Sequence, residues 1–518
     1  HNIEIKKNSS TNATISFEEK NVKPDKNFIL YYSVSDEEFD VSMVDFHGYN
    51  EDGYFLMMVA PGKVKEKEKP APKNIAFILD TSGSMAGKKI EQAKNALKFC
   101  LNSLNEGDRF NVINFSSNIY YFQEKLIDVN KESVSEALDY VNNLQARGGT
   151  DINNSLLKGI DLFKDKSDRP NYIVFITDGE PTVGVTKESD IMKNVRTANG
   201  KKTRIFVFGV GYNLNTMLLD RLGKENHGIA DYITPDEDIE VKISNFYSKI
   251  SDPILSDVTL KIPGIKTYDV YPMTLGDIFA GTQLLIVGRY KGSGTKTAVL
   301  EGKKKGRSVS YQFDVTFEQR SKKHKYIPRL WAIRKVGYLL EEIKLNGESK
   351  EVVDEITELG KRYGIVTPYT SFLITEEEKQ TVSSNVMRDM EAGSPKFQST
   401  PAPMAVEQSV MKESSGRDAV VISKSNKQYQ NAQNVPSNEM LRSMGIQTIR
   451  NVEDKTFYDK DGQWIDSAYK EGMKKVRVKY LSDEYFKLIK NNAGINEYIH
   501  IANNLILVFN NTAYEIYE

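Results

Sequence analysis

The 518-residue sequence has few of the side chains that build disulfide frameworks and soft metal centres. Its single cysteine, Cys100, excludes an internal disulfide and a cluster of thiolate ligands. Only five histidines are spread over the chain, which disfavours a histidine-bound zinc site and histidine-based acid–base chemistry. No uninterrupted run of about 18 apolar residues occurs, so the sequence predicts no membrane-spanning helix.

The sequence also lacks an excess of either charge, with 70 Lys and Arg residues against 71 Asp and Glu residues. This balance gives no general attraction to nucleic acid or to anionic lipid. The contents of 39% hydrophobic and 27% charged residues are typical of folded protein. A chain of this length corresponds to about three or four domains, so we expect a multidomain protein without a nucleic-acid partner.

Changes in sequence character divide the first half of the chain. Residues 1–60 contain β-branched and aromatic runs, including one at 28–34, separated by turn residues, which predicts strands. The charged stretch 63–69, followed by Pro-Ala-Pro, predicts a solvated hinge. Over residues 73–250, wholly apolar strands alternate with amphipathic helices, which predicts a parallel sheet covered by helices on both faces.

The second half divides in a similar way. Residues 254–317 are again rich in predicted strands, and residues 318–376 predict a helical pair followed by an extended segment. Residues 383–450 are rich in Ser, Asn, Gln and Met with weak periodicity, which predicts a linker or an extended arm laid over other domains. Residues 451–518 predict a small α+β module.

Two structural expectations follow from this division. The β-rich segments 1–60 and 254–317 are each short for a self-sufficient sandwich, so we expect them to pack together with the α/β region inserted between them. In the first helix of that region, Cys100 lies on the apolar stripe, which predicts a packed thiol rather than a reactive one.

Oxygen-bearing side chains follow the predicted strands of the α/β region. A carboxylate and two hydroxyls occur at spacings i, i+2 and i+4 after the strand 75–79, a third hydroxyl lies in a glycine-containing loop, and a second carboxylate ends the strand 172–177. These residues are Asp80, Ser82, Ser84, Thr150 and Asp178. Ligands of open α/β sheets bind beyond the carboxyl ends of the strands, so we expect these side chains to form one site.

The chemistry of these five side chains favours a hard metal ion. They offer two carboxylates and three hydroxyls, with no nitrogen or sulfur. A small site of low formal charge favours Mg²⁺ or Mn²⁺ with open or water-filled positions over a fully caged Ca²⁺. Each piece alone is also typical of a helix N-cap or a turn, so the prediction depends on all of them standing in order at strand ends.

The pattern Asp80-x-Ser82-x-Ser84, then Thr150, then Asp178-Gly, resembles the metal-ion-dependent adhesion site of a von Willebrand factor type A domain over about residues 73–250. The resemblance implies a doubly wound, Rossmann-like α/β fold. It also implies that both serines and one of Thr150 and Asp178 contact the metal directly, while the others act through water. A carboxylate of the ligand would complete the shell, with Mg²⁺ as the expected ion and Mn²⁺ or Ca²⁺ as alternatives.

The flanking segments resemble a narrower family. Residues 25–60 resemble the end of a vault-protein/inter-alpha-trypsin (VIT) domain, so we expect residues 1–60 to be the C-terminal part of such a β domain. The segment 363–373, Tyr-Gly-Ile-Val-Thr-Pro-Tyr-Thr-Ser-Phe-Leu, resembles inter-alpha-trypsin inhibitor heavy chains and their bacterial relatives. The last 70 or so residues resemble the C-terminal module of the bacterial proteins by general pattern. The Asp-Pro-His-Phe motif that couples the heavy chains to glycosaminoglycan is absent, so that chemistry does not carry over.

We expect the sequence to contain only the second half of the VIT domain that residues 1–60 resemble. The sequence opens at His1 without an initiator methionine, and a complete VIT domain needs a further stretch of comparable length before the hinge. We therefore expect a processed or truncated form. One candidate partner is the cleaved N-terminal fragment itself, which would complete the β domain.

Enzyme motifs are poorly matched. The segment from Gly83 to Gly87 has three residues between the glycines instead of the four of a phosphate loop, and Lys89 stands where Ser or Thr should bind magnesium. Ser84 lacks the glycine two residues before it that a nucleophile elbow requires, and His227 lies in a polar segment typical of a solvated loop. The sequence therefore predicts a protein that is not an enzyme.

Three other charged motifs are also better explained as structure. Residues 459–462, Asp-Lys-Asp-Gly, resemble half of a calcium loop but lack its distal Glu, which favours a hairpin turn. The basic clusters 303–307 and 322–325 have no interleaved aromatic residues and are more typical of solvated faces than of nucleic-acid sites.

These observations lead to one main hypothesis and one alternative. We expect a secreted, cell-surface or cell-envelope adhesion protein that recognises an acidic group on a protein or matrix partner through a divalent cation. The alternative is a cytoplasmic scaffold in which the type A domain works with a chaperone-like ATPase.

Overall fold

The computed structural model describes residues 3–9, 12–17, 38–48, 51–62, 70–165, 167–200, 202–370, 411 and 413–518. The predicted strand at 28–34 and the predicted hinge at 63–69 lie outside these residues. In the described ranges, no helix is both long enough and apolar enough to cross a membrane.

Two antiparallel pairs of strands begin the chain. They are β1 (Ile3–Ser9) with β2 (Asn12–Phe17), and β3 (Phe39–Phe46) with β4 (Gly53–Pro61). The first pair forms its own two-stranded sheet, whereas the second belongs to a larger sheet completed by strands far along the chain.

A seven-stranded sheet with helices follows. Its elements are β5 (Asn74–Asp80), α1 (Lys88–Asn102), β6 (Arg109–Phe115), β7 (Ile119–Tyr121), β8 (Ile127–Asp128), α2 (Lys131–Asn142), α3 (Ile152–Asp161), β9 (Asn171–Thr177), α4 (Glu188–Ala198), β10 (Arg204–Val210), α5 (Thr216–Glu225), β11 (Ala230–Ile233) and α6 (Ile239–Ile250). The strand order is β11-β10-β9-β5-β6-β7, with β8 also paired to β6. The first five strands of this order are parallel, and β7 and β8 run antiparallel to β6.

The central strand β5 explains why helices cover both faces of this sheet. Every residue of β5 is buried. Its side chains alternate, so Ile75, Phe77 and Leu79 enter the core beneath α1 and α6, while Ala76 and Ile78 enter the core beneath α3, α4 and α5. The predicted doubly wound α/β fold is confirmed. Sequence reasoning found β5, β6, β9 and β10 but missed the short strands β7, β8 and β11.

The chain next forms a β-sandwich. Its strands are β12 (Pro253–Lys261), β13 (Lys266–Tyr271), β14 (Ile278–Phe279), β15 (Leu284–Lys291), β16 (Gly294–Lys304) and β17 (Arg307–Phe317). The two sheets have the orders β14-β12-β16-β17 and β13-β15-β4-β3. Strand β15 pairs with β4 along its length, from Leu284 opposite Val59 to Tyr290 opposite Gly53. This pairing confirms that the two β-rich segments pack together and that the α/β region is inserted between them.

Four helices follow the sandwich along the chain. They are α7 (Ile327–Asn346), α8 (Lys350–Tyr363), α9 (Arg417–Gln430) and α10 (Asn438–Ser443). Helix α8 is capped at its start by Ser349, whose hydroxyl accepts from the Val352 amide, and at its end by Gly364 in the left-handed conformation. The extended segment predicted after α8 is wrong for residues 365–370, which form turns around the hydrogen-bonded hydroxyls of Thr367 and Thr370.

The linker or extended arm predicted for residues 383–450 is also wrong where the structure describes it. Residues 417–430 form helix α9, which packs along α7 and is buried on several sides. A Cβ atom on Gly337 of α7 would lie 2.7 Å from the backbone nitrogen of Gln430, so glycine allows the two helices to approach closely. Because polar side chains such as Ser423 and Asn426 are also buried, α9 has no single apolar stripe for a sequence pattern to detect.

The C-terminal residues form the predicted α+β module. Its elements are β18 (Ile449–Val452), β19 (Lys455–Lys460), β20 (Gln463–Asp466), β21 (Lys475–Lys479), α11 (Asp483–Asn491), α12 (Asn496–Ile499), β22 (Leu505–Phe509) and β23 (Thr512–Tyr517). They form one mixed sheet of order β18-β19-β20-β22-β23-β21. The hairpin turn predicted at 459–462 is present, with positive φ at Asp461 and Gly462, and a second turn has positive φ at Asn510 and Asn511.

Candidate metal centre

Three loops meet at the carboxyl end of β5, which lies between β9 and β6 in the parallel sheet. The first loop leaves β5 after Asp80 and passes through the short 3-10 turn Gly83–Met85 into α1. The second loop joins α2 to α3, and the third follows β9. The amide of Gly83 donates to the carbonyl of Gly148 at 3.0 Å, which fixes the first loop against the second.

The glycines of the second loop position Thr150. Gly148 has a φ of 81°, in the left-handed region that favours glycine, and a Cβ on Gly149 would lie 2.7 Å from Cγ2 of Val183. This close approach lets the backbone of Thr150 bond to the third loop, because its amide donates to Oγ1 of Thr182 at 2.8 Å. The glycine-containing loop noted in the sequence therefore carries Thr150 toward the residues that follow β9.

Hydroxyl and carboxylate oxygens converge where the loops meet. The Oγ atoms of Ser82 and Ser84 lie 3.0 Å apart, and the Ser84 hydroxyl donates to Oδ1 of Asp178 at 2.7 Å. A Cβ on Gly179 would lie 3.4 Å from Oγ1 of Thr150 and 3.8 Å from Oγ of Ser84. Thr150 therefore faces the same space as the two serines.

Asp80 lies fully buried beneath these oxygens. Its Oδ1 accepts from the Ser82 amide at 2.8 Å, and its Oδ2 accepts from the hydroxyl of Thr177 at 2.6 Å. Burial raises the pKa of the Asp80 carboxyl to about 6, although both hydrogen bonds act in the opposite direction. A bound cation would favour the ionised carboxylate, because opposite charge stabilises it.

Lys89, in the first turn of α1, adds a positive charge to the site. Its Nζ lies 2.6 Å from Oδ2 of Asp178, whose side chain is completely buried, and 3.4 Å from the Ser84 carbonyl oxygen. Sequence reasoning used Lys89 only to reject a phosphate loop and missed both its contact and the hydroxyl of Thr177. The sequence offered one signal for the contact of Lys89. This residue follows Ser84 by five positions and lies at the start of the helix that leaves the site.

The arrangement fits a small divalent cation. Magnesium binds six oxygens at 2.0–2.1 Å, so neighbouring ligand atoms in an octahedral shell are about 3 Å apart. The distances of 3.0 Å from Ser82 to Ser84 and 2.7 Å from Ser84 to Asp178 match this spacing. Within the described ranges, no group of three or more His, Cys, Asp or Glu side chains could hold a metal. A site here would therefore depend on hydroxyls together with two carboxylates.

The surroundings do not favour nucleophilic catalysis. The side-chain partners of the Ser84 hydroxyl are Ser82 and Asp178, and neither supplies the histidine base that usually activates serine. His227 is exposed and precedes β11, which places it at the opposite, amino edge of the sheet. At the distant hairpin, the Asp459 carboxylate accepts from the Gly462 amide at 2.9 Å, as expected for a turn.

Comparison with known proteins agrees with the fold. Residues 74–248 match the family model of the von Willebrand factor type A domain. The chain therefore contains a von Willebrand factor type A domain. Among solved structures, the chain resembles a von Willebrand factor type A protein from Catenulispora acidiphila, with a TM-score of 0.50 at 14% identity. That match covers 78% of this chain and 100% of the other chain, and it supports the fold alone.

Over a longer stretch, the sequence is similar to inter-alpha-trypsin inhibitor heavy chains. It is 30% identical over 377 residues to heavy chain 4 of Mus musculus, covering 68% of this chain. It is also 30% identical over 364 residues to heavy chain H3 of Homo sapiens, covering 66% of this chain. The chain spans 40% of the length of each of these two relatives.

Proposed function

We propose that this protein is a non-enzymatic adhesion or ligand-binding protein that holds one divalent cation at the end of β5. The cation site would consist of Asp80, Ser82, Ser84, Thr150 and Asp178. The partner would be a protein or matrix molecule that presents a carboxylate. A secreted or cell-surface location belongs to the same proposal.

The observation that carries the proposal is the convergence of three hydroxyls and two carboxylates from separate loops at one edge of the sheet. Ser82, Ser84 and Asp178 are linked by oxygen–oxygen distances of 3.0 Å or less. The similarity to type A domains, which commonly bind a divalent metal at this position, supports the same interpretation. We expect Mg²⁺ or Mn²⁺, because the site offers few charges and leaves positions for water or a ligand.

The residues of the chain would have different tasks in this site. Asp80 is buried and fixed by two hydrogen bonds, so it supplies negative charge at the base. Ser84 is exposed and lies at the rim, where a partner can approach. When bound, the cation would supply positive charge to which a carboxylate of the partner can bind. Thr150 and Asp178 remain alternatives for the direct contact.

Calorimetric titration of the full chain with Mg²⁺ and with Mn²⁺ tests this proposal. We expect binding of one cation by the unmodified protein and no measurable binding by Asp80→Ala, because half of the carboxylate charge is removed. Tryptophan fluorescence is not a suitable readout, since Trp331 and Trp464 both lie outside the type A domain.

Two further variants separate a lost ligand from a lost fold. Ser84→Ala removes an exposed hydroxyl and should weaken binding while thermal unfolding shows that the protein remains folded. Glu180→Gln removes an exposed carboxylate two residues after Asp178 and should leave the affinity unaltered. Unchanged cation affinity in both Asp80→Ala and Ser84→Ala would refute the site.

A further inference from the structure

Lys89 is the cationic side chain that reaches into the proposed metal site. Its Nζ contacts Oδ2 of Asp178 at 2.6 Å and the carbonyl oxygen of Ser84 at 3.4 Å. A Cβ on Gly211, in the loop after β10, would lie 3.7 Å from the same nitrogen. The ammonium group therefore lies against the loops that follow β5, β9 and β10.

This contact differs from an ordinary surface ion pair. The side chain of Asp178 is 0% exposed, whereas that of Lys89 is 38% exposed. The carboxylate cannot exchange its partner for bulk water, so it interacts more strongly with the nearby ammonium than an exposed carboxylate would. The preceding Lys88 has the same charge but is exposed at the start of α1, which makes it a natural comparison.

The contact between Lys89 and Asp178 changes the net charge of the proposed metal site. Asp80 and Asp178 together carry two negative charges, and Lys89 reduces the net charge to minus one. A divalent cation would then bring the site to plus one, which a single carboxylate neutralises. Without Lys89, the loaded site would already be neutral and an acidic partner would meet no net attraction.

We propose that Lys89 is an intrinsic counter-charge that lowers the affinity for the divalent cation and leaves the loaded site with one positive charge for an acidic partner. This inference rests on the proposed function. If Lys89 only positioned Asp178, its loss would weaken cation binding. As a counter-charge, its loss should strengthen cation binding instead.

The test is calorimetric titration of the full chain with Mn²⁺. In Lys89→Met, which keeps the length of the side chain, we expect Mn²⁺ to bind on the order of tenfold more tightly because a nearby positive charge is removed. Lys89→Arg keeps the charge and should bind Mn²⁺ within about twofold of the unmodified protein. Lys88→Met makes the same charge change one residue away and should differ little from the unmodified protein.

A second measurement examines the carboxylate. Acetate added to the Mn²⁺-loaded protein should lower the water-proton relaxation rate by displacing bound water, and more acetate should be needed in Lys89→Met. Equal or weaker Mn²⁺ binding by Lys89→Met would overturn the counter-charge, and equal acetate response in both proteins would overturn its role toward the partner. If Mn²⁺ binds to neither protein, the proposed function itself fails, so the two failures are distinguishable.

Discussion

Cys100 illustrates how the position of a residue on a helix determines its chemical reactivity. It lies on the face of α1 that packs against the sheet, together with Ala93, Leu97 and Leu101. The thiol is fully buried, and burial raises the pKa of Cys100 far above its ordinary value. Because the thiolate is the reactive form, this residue is protected by exclusion of water and by its protonation state.

We expect Cys100 to resist modification by a thiol reagent such as dithionitrobenzoate in the native protein and to react fully once the chain is unfolded in guanidinium chloride. The variant Ser189→Cys places a thiol at an exposed position in α4 and supplies the control. That thiol should react rapidly with the reagent in the native protein. Rapid reaction of Cys100 under native conditions would show that its packing is looser than the structure indicates.

Four residues of the candidate centre were predictable because they stand at the ends of strands that the apolar pattern identified, whereas Thr150 lies in the loop between α2 and α3 and not at a strand end. Asp80 and Asp178 are far apart in sequence, but the parallel strands β5 and β9 bring their carboxyl ends to one edge of the sheet. Thr177 and Lys89 were missed for a physical reason. Their side chains reach Asp80 and Asp178 across gaps between loops, and such distances depend on loop conformation rather than on periodicity.

At the scale of elements, helix α9 joins the type A domain to α7 through buried charges. Asp220 on α5 accepts from Lys344 on α7 at 2.9 Å and from Ser423 on α9 at 2.9 Å, and Lys427 on α9 lies 3.3 Å from the same carboxylate. The side chains of Lys344 and Asp220 are only 1% and 3% exposed. A second pair, Lys424 with Glu237 at 2.8 Å, holds α9 to the loop after β11.

These contacts make the docking of α9 sensitive to acid. Burial by itself would raise the pKa of Asp220 and of Glu237, but the neighbouring lysines outweigh it and lower both pKa values to about 2. A carboxyl whose pKa is lower in the folded protein stabilises it above the ordinary pKa, here 3.8 and 4.5. The stabilisation should therefore be complete above about pH 4.5 and should diminish as the pH falls toward 2.

The variant Asp220→Asn tests this account. It preserves the shape of the side chain but leaves Lys344 and Lys427 without their shared carboxylate, so we expect a loss of about 3–5 kcal/mol at pH 7. Thermal unfolding at several pH values should also show a smaller decrease between pH 5 and pH 3 than in the unmodified protein. Asp161→Asn removes a carboxylate from an exposed pair with Lys164 and should change stability by less than about 1 kcal/mol. A similar effect of both variants would contradict the proposed contribution of the buried charges.

The whole molecule is organised around an insertion. The sandwich pairs β4 with β15, so its strands come from both sides of the type A domain. The ends of the inserted domain lie together, because Nζ of Lys73 donates to the carbonyl of Ser251 at 2.8 Å and bonds to the buried carboxylate of Asp108 at 2.5 Å. We therefore propose that the division of the chain into a type A domain and a discontinuous β domain reflects separable folding units.

Excision of the insertion tests this division. Residues 71–252 alone should unfold cooperatively and retain the cation affinity of the full chain, because both cores of the sheet lie almost entirely within that segment. Circular dichroism and calorimetry supply the measurements. The same segment carrying Lys73→Met should be less stable by several kcal/mol, since Asp108 would be buried without its counter-ion. A segment that fails to fold would show that the sandwich and α9 are needed to complete the domain.

Sequence reasoning anticipated the joining of the β-rich segments because each was too short to bury a core alone. The placement of α9 could not be anticipated in this way. Its sequence mixes Val420 and Ile422 with Ser423 and Asn426, all buried, because the helix contacts the type A domain on one side and α7 on another. A pattern that records one apolar face per helix does not detect a helix with several.

The neighbouring ends of the insertion also determine how the molecule would carry a mechanical load. The proposed cation site lies at the carboxyl edge of the sheet, whereas Lys73 and Ser251 lie at the amino edge, below β5 and at the end of α6. A partner that pulls on the cation would draw the domain along the direction of its parallel strands. The tension would leave the type A domain at two neighbouring points, Lys73 and Ser251, and each would carry only part of it. It would pass to the sandwich without first separating a strand from the sheet.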